Sequence, residues 1–132
     1  MRVLIADDEK GVGITLAALV KRCGHEVLQV VGSGWEAIQA YSRLKPDVVL
    51  MDFSMPRLNG ATASRMILSK DPDAKIILVT GVGPVEQLDG IGVAAILSKP
   101  VDLDKLYGAL YDAAPPRSRP AEPTQGEFGG PF

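Results

Sequence analysis

The chain has 132 residues, of which 46% are apolar and 23% are charged, and it carries a formal net charge of −2 at pH 7. This length and composition fit one globular domain without a membrane-like apolar excess, and the small negative charge argues against direct nucleic-acid binding, which needs a basic surface. A single cysteine excludes an internal disulfide framework, and because no targeting segment is visible we expect a cytoplasmic protein.

A strand pattern opens the chain and a helix pattern follows it. Val3 to Ile5 is a run of aliphatic residues, typical of a strand buried on both faces of a sheet. Apolar residues then recur at helical spacing, and Gly24 marks the end of this helix because glycine is favoured just beyond a helix carboxyl terminus. This apolar stripe consists of Val12, Leu16, Leu19, Val20 and Cys23. His25 follows in the turn and is interpreted as an ordinary surface residue.

The second and third strands flank a well-delimited helix. The two aliphatic runs are Val27 to Val31 and Val48 to Met51. Between them, Ser33 and Glu36 form a capping-box sequence, which indicates a helix amino terminus. Pro46 cannot continue a helix, so the second helix is predicted to end just before it.

In the second half of the chain the elements are shorter. A third helix is predicted between Gly60 and Asp71, and a fourth, short one from Pro84 to about Gly90. The last helix begins after Asp102, a predicted N-cap. Strands are predicted over Ile76 to Val79 and over Ala94 to Leu97. The third helix is predicted to direct Ala63, Met66 and Ile67 inward, and the last helix to carry Leu103, Leu106 and Leu110 on one face.

Strand and helix patterns alternate five times. This order predicts an α/β fold, a doubly wound five-stranded parallel sheet with five helices and right-handed crossovers. The domain is predicted to span residues 1–114. Residues 115–132 contain five prolines and three glycines with few aliphatic residues, so this segment is interpreted as a flexible tail or a truncated linker.

Polar residues come directly after four of the predicted strands. Asp7 and Asp8 follow the first, Asp52 the third, Thr80 the fourth and Lys99 the fifth. Ligands of open α/β sheets bind beyond these carboxyl ends, so we expect the side chains to converge. Two carboxylates 4 Å apart repel by about 4 kcal/mol at an effective dielectric constant near 20. Mg²⁺ is the predicted counter-ion because it prefers oxygen ligands and leaves positions for phosphate oxygens.

Such a cluster suits phosphoryl transfer. An ionised aspartate can attack phosphorus and form an acyl phosphate while a cation stabilises the transferring group. Asp52 is the predicted phosphoryl acceptor, and Lys99 supplies positive charge. Asp8 is expected to bind the metal directly, Asp7 to complete its shell, and the Thr80 hydroxyl to donate to a phosphoryl oxygen.

Four sequence runs resemble the motifs of bacterial response-regulator receiver domains, the chemotaxis receivers among them. The runs are LIADDE from Leu4, MDFSMP from Met51 with Gly60 beyond it, VTG from Val79 and LSKP from Leu97. They occur in the family's order and near its spacing from Met1 to about Ala113.

The resemblance implies a flavodoxin-like fold with sheet order 2-1-3-4-5. It implies phosphorylation of Asp52 by a sensor histidine kinase or phosphotransfer protein, and a cis peptide bond before Pro100. It also implies that Mg²⁺ is held by Asp8, Asp52 and the backbone carbonyl of Ser54. The protein is then regulatory rather than an enzyme, and its output goes through a downstream protein partner or an effector segment missing from the sequence.

Three other functions share part of this pattern. A phosphatase of the haloacid-dehalogenase type needs a second acid two residues after its nucleophile, where Ser54 stands. An FMN-binding flavodoxin cradles a phosphate in its first loop, where Asp7 and Asp8 would repel it. The remaining alternative is a receiver-like interaction module that is not phosphorylated.

Two features depart from the family pattern. Ile96 occupies a position where receivers commonly carry tyrosine or phenylalanine, so the usual movement of an aromatic ring coupled to Thr80 is not expected. The interval from Thr80 to Lys99 is also about one helical turn shorter than in most relatives. We therefore expect this chain not to form the common dimer through the short fourth helix and its neighbours.

Overall fold

A computed structural model describes residues 1–81 and 90–114 of the chain. Its strands are β1 (Arg2–Ala6), β2 (Glu26–Val31), β3 (Val48–Asp52), β4 (Ile76–Thr80) and β5 (Ala95–Ser98). Its helices are α1 (Lys10–Arg22), α2 (Gly34–Leu44), α3 (Gly60–Lys70) and α4 (Leu103–Ala113). The short helix predicted from Pro84 falls outside the described residues, as does the predicted tail from Pro115, and the domain boundary at 114 stays a prediction.

All five strands pair in parallel in the order β2-β1-β3-β4-β5. The predicted sheet order and fold class are therefore confirmed, with four helices in the described part of the chain instead of the five predicted. Because all five strands are parallel, their carboxyl ends meet at one edge of the sheet. This edge carries the polar residues singled out above.

Apolar side chains fill both faces of the sheet. Successive residues of a strand point to opposite faces, so one strand contributes to two cores. The core under α2 and α3 contains Leu4, Val49, Met51, Ile76, Leu78, Ala37, Ala40, Ala63 and Ile67. The core under α1 and α4 contains Val3, Ile5, Leu50, Ile77, Leu16, Val20, Leu106 and Leu110. β3 and β4 are buried along their whole length, which explains their unbroken aliphatic runs.

The helix starts predicted at Ser33 and Asp102 are confirmed. The Ser33 hydroxyl accepts a hydrogen bond from the Glu36 backbone N–H at 3.1 Å, while the Glu36 carboxylate accepts from the backbone N–H of Gly32 at 3.3 Å. The Asp102 carboxylate caps α4 by accepting from the Asp104 backbone N–H at 2.8 Å. Gly24, with φ of +90°, ends the first helical segment as predicted.

Two predictions about burial were wrong. Met66 is half-buried rather than inward, because the buried face of α3 is formed by Ile67 and by the small residues of the first turns of the helix. His25 is buried, with 8% of its surface exposed, because pairing of β1 with β2 brings it against the chain's first residue. Its Nδ1 lies 2.9 Å from the Met1 amino group.

Among the helices of residues 1–81 and 90–114, none combines the length and the apolar character that a membrane span requires.

Candidate phosphorylation site

Three aspartates converge at the carboxyl edge of the sheet. Asp52 is the last residue of β3, and Asp7 and Asp8 follow β1 directly. One carboxylate oxygen from each lies within 4.8 Å of the other two. Asp7 and Asp52 are each 2% exposed, whereas Asp8 is exposed to solvent. The structure thus brings together three like charges, two of them almost fully out of water.

Asp7 is held in place by contacts to its backbone and side chain. Its backbone N–H donates to the Val31 carbonyl at 2.9 Å, which ties the end of β1 to the end of β2. Its Oδ1 accepts from the Glu9 backbone N–H at 2.9 Å, and its Oδ2 lies 3.4 Å from Lys99 Nζ. Both carboxylate oxygens of Asp7 are therefore engaged by protein groups.

Lys99 supplies the positive charge. It follows β5, and its backbone N–H donates to the Thr80 carbonyl at 2.8 Å, so the chain leaves the sheet beside β4. Its Nζ lies 3.1 Å from Asp52 Oδ1. The predicted cis peptide bond between Lys99 and Pro100 is present. Thr80, which is 4% exposed, ends the adjacent strand and faces the same cavity.

The electrostatics of the cluster follow from burial. Desolvation raises the pKa of the Asp52 carboxyl from 3.8 to about 6; the Lys99 ammonium group opposes this change, and the carboxylates of Asp7 and Asp8 add to it. Burial alone would lower the pKa of Lys99, but pairing with Asp52 and Asp7 outweighs it, so that pKa lies above the ordinary value. Asp52 is ionised at neutral pH only at a cost in free energy.

The packing of α3 fixes the position of Asp52. The Gly60 backbone N–H donates to the Phe53 carbonyl at 2.8 Å, which draws the start of α3 onto the end of β3. A Cβ on Gly60 would lie 3.0 Å from the Met51 side chain and closer still to the Asp52 carbonyl oxygen. Only glycine allows this approach, and the helix begins there because the Asn59 side chain accepts from the Thr62 backbone N–H at 2.9 Å.

A cavity of about 390 Å³ opens above Asp52. It is lined by Asp8, Glu9, Asp52, Phe53, Ser54, Thr80, Gly81 and Lys99. Every site residue predicted from the sequence is therefore in or beside one cavity, Ser54 included. The contact of Glu9 with Lys99, at 3.9 Å, was not predicted. The sequence could have indicated this contact, because Glu9 directly follows the acidic pair Asp7 and Asp8.

The donor set fits a hard divalent cation. Asp52 Oδ1 is buried and, besides the Lys99 ion pair, has no hydrogen-bond partner within the described part of the chain. Three carboxylates and a single nearby ammonium group leave a negative formal charge, and oxygen donors of this kind are those that Mg²⁺ prefers. The residues present are suited to hold such an ion.

Comparisons with known proteins show which family the chain resembles. The family model described as response regulator receiver domain matches residues 3–111. The chain is 42% identical over 112 residues to the chemotaxis protein CheY of Thermotoga maritima, covering 83% of this chain and 93% of that protein. It is 36% identical over 129 residues to the transcriptional regulatory protein PdtaR of Mycobacterium tuberculosis, covering 96% of this chain and 62% of that protein.

A solved structure also matches this chain. The crystal structure of a response regulator receiver domain protein from Clostridium thermocellum matches with a TM-score of 0.76 at 30% identity, covering 85% of this chain and 92% of that one. Fold, acidic cluster and relatives together define a signalling domain of two-component systems. The chain belongs to the response regulator receiver domain family and is a phosphorylation-switched signalling receiver. No observation favours a module without phosphorylation.

Proposed function

We propose that Asp52 is the residue that accepts the phosphoryl group, from a sensor histidine kinase or a phosphotransfer protein. The observation that carries the proposal is the placement of Asp52, a buried carboxylate 3.1 Å from Lys99 Nζ and in a cluster with two other aspartates. In the reaction, a carboxylate oxygen of Asp52 attacks phosphorus, the bond from phosphorus to the donor nitrogen breaks, and an acyl phosphate forms.

The neighbouring side chains stabilise the negative charge of the transferring group. The Lys99 ammonium group, already paired with Asp52, can follow the phosphoryl oxygens as the acyl phosphate forms. The Thr80 hydroxyl lines the same cavity and donates to a phosphoryl oxygen. Both groups are held by strand ends, which keeps them positioned without a large movement.

Asp8, Asp52 and the backbone carbonyl of Ser54 would hold Mg²⁺, with Asp7 in the outer shell. When bound, the ion neutralises charge on the phosphoryl oxygens. Asp8 is suited to direct ligation because its carboxylate is exposed at the cavity, and Asp7 to an outer role because its oxygens are engaged by Glu9 and Lys99.

The protein works as a regulator in the cytoplasm and has no separate substrate of its own. Its output goes to a downstream protein partner or through an effector segment beyond the sequence given. Ile96 lies on β5 with 46% of its surface exposed, so the switch operates without the inward swing of a ring at this position. The common dimer through this face is not expected to form.

The experiment is intact-mass spectrometry after incubation with Mg²⁺ and acetyl phosphate. Wild type and the exposed control Asp73→Ala should gain one phosphate, and Asp52→Ala should gain none. Chelation of Mg²⁺ with EDTA should abolish the adduct in all three proteins. An adduct of the same size on Asp52→Ala would refute the assignment, and the absence of an adduct on wild type would favour the non-phosphorylated module.

A further inference from the structure

A second cavity lies at the other end of the molecule, away from Asp52. α2 and α3 run antiparallel to the strands, so their carboxyl ends meet at the amino edge of the sheet. Between them is a cavity of about 370 Å³. This volume is within the range of small-molecule sites, about 300–1,000 Å³, and is too small for a long docked helix.

The floor of this amino-edge cavity is apolar. It is formed by Ile38 and Tyr41 of α2 and by Ile67 of α3, and Ile67 is only 2% exposed. All three side chains belong to, or pack against, the core under α2 and α3. Because the floor is continuous with the core, it offers apolar surface that is already in place before a ligand arrives.

Its rim is positively charged. Lys45 and Lys70 both line the cavity, and neither forms a salt bridge within residues 1–81 and 90–114. The one carboxylate in the lining, Asp71, is engaged on both oxygens: Oδ2 accepts from the Tyr41 hydroxyl at 2.6 Å and Oδ1 from the Asp73 backbone N–H at 3.1 Å. The lining therefore holds two unpaired cations and one satisfied anion.

The end of α2 does not cancel this positive charge. Exposed carbonyl groups at a helix carboxyl terminus normally disfavour an anion. Here the Arg2 guanidinium group donates to the Leu44 carbonyl at 2.8 Å and to the Lys45 carbonyl at 2.9 Å. The partial negative charge of these carbonyls is thus already compensated by a third cation.

We propose that the amino-edge cavity binds a small organic anion with an apolar body. Its hydrocarbon or aromatic part would lie on the apolar floor, and its carboxylate would be paired with Lys45 and Lys70. The charge of the rim selects an anion, and the volume of about 370 Å³ fits a small molecule. The site is independent of the phosphorylation proposed for Asp52.

The test is a titration of the ¹⁵N-labelled full chain followed by amide chemical shifts. The probes are 4-phenylbutyrate and its uncharged counterpart 4-phenyl-1-butanol. The butyrate should produce saturable shifts in the last turns of α2 and α3. In the double variant Lys45→Gln/Lys70→Gln its affinity should fall roughly tenfold. The matched double variant Lys21→Gln/Lys105→Gln, on exposed positions of α1 and α4, should bind like wild type.

Three results would overturn the proposal. The first is equal binding of the alcohol and the butyrate, because the lysines would then not distinguish an anion from an uncharged molecule. The second is the absence of saturable shifts at these amides up to about 5 mM probe. The third is a response to an acidic aromatic peptide but not to 4-phenylbutyrate, which would make the surface part of a protein interface.

Discussion

Asp52 is 2% exposed. Because its carboxyl is buried, ionising it lowers the free energy of unfolding of the domain. Its pKa in the folded chain is about 6, above the ordinary value of 3.8. Between these two pH values the folded state binds more protons than the unfolded state, so this carboxyl lowers stability as pH rises through the interval. The full cost above pH 6 is about 3 kcal/mol by linkage.

Asp52→Asn should therefore stabilise the metal-free protein at pH 8, by about 1–3 kcal/mol once the lost ion pair with Lys99 is allowed for. At pH 4 the gain should nearly vanish, since the wild-type carboxyl is then protonated. Urea denaturation in EDTA at both pH values measures this gain in the free energy of unfolding, with Asp73→Asn as the exposed control. A gain of the same size at pH 4 and pH 8 would contradict the burial explanation.

Gly60 allows the start of α3 to lie directly against Asp52. Gly60→Ala places a methyl group against the Asp52 carbonyl and the Met51 side chain, so we expect a loss of about 1–3 kcal/mol in the free energy of unfolding. It should also slow phosphorylation by acetyl phosphate, because the end of β3 must shift.

The control for Gly60→Ala is Gly108→Ala in the interior of α4. A Cβ there meets no atom within 4 Å, and alanine should stabilise the helix by about 0.5–1 kcal/mol. Chemical denaturation of both variants gives the comparison. If Gly60→Ala were as stable as Gly108→Ala and reacted at the wild-type rate, the close approach of α3 to Asp52 would not matter.

At the scale of elements, β1 and α2 are joined through Arg2. This exposed side chain donates one hydrogen bond to the carbonyl of Leu44, the last residue of α2, and one to the carbonyl of Lys45, which follows it; such carbonyls have no partner within the helix itself. Its backbone N–H donates to Asp47 Oδ2 at 2.7 Å, so the same residue also orders the loop that enters β3. Arg2 therefore caps a helix that is distant in sequence.

Arg2→Ala should lower the free energy of unfolding by about 1–2 kcal/mol, because two charge-assisted hydrogen bonds are lost. Arg2→Lys should recover only part of this loss, since an ammonium group does not match both carbonyls as a guanidinium does. Thermal and urea unfolding measure both. The control is Lys105→Ala, at an exposed site on α4, which should change the free energy of unfolding by less than about 0.5 kcal/mol. If Arg2→Ala also changed it by less than about 0.5 kcal/mol, the cap would not be stabilising.

Most helices and strands could be predicted because the local sequence patterns agree with the burial and the capping found in the folded chain. The aliphatic runs of β3 and β4 are buried on both faces, and Ser33 and Asp102 cap the helices they precede. The error at His25 arose because a contact distant in sequence decides its burial. The local sequence places His25 in a turn after Gly24, but the pairing of β1 with β2 buries it beside Met1.

The site as a whole could be predicted for a topological reason. Parallel strands bring their carboxyl ends to one edge, so Asp7, Asp52 and Lys99 meet although they are far apart in sequence. Distances, the exposure of Asp8 and the raised pKa of Asp52 could not be obtained this way, because they depend on how closely α3 and the loops pack. The amino-edge cavity was missed, since its residues come from two helix ends with no motif.

At the scale of the molecule, we propose that phosphorylation is directed to Asp52, one of three aspartates with carboxylate oxygens within 4.8 Å of one another. The direct test is reduction of the phosphorylated protein with borohydride, which converts an aspartyl phosphate to homoserine, followed by peptide mass spectrometry. We predict homoserine at position 52 alone, and none when acetyl phosphate is omitted. Homoserine at Asp7 or Asp8, with Asp52 unmodified, would contradict it.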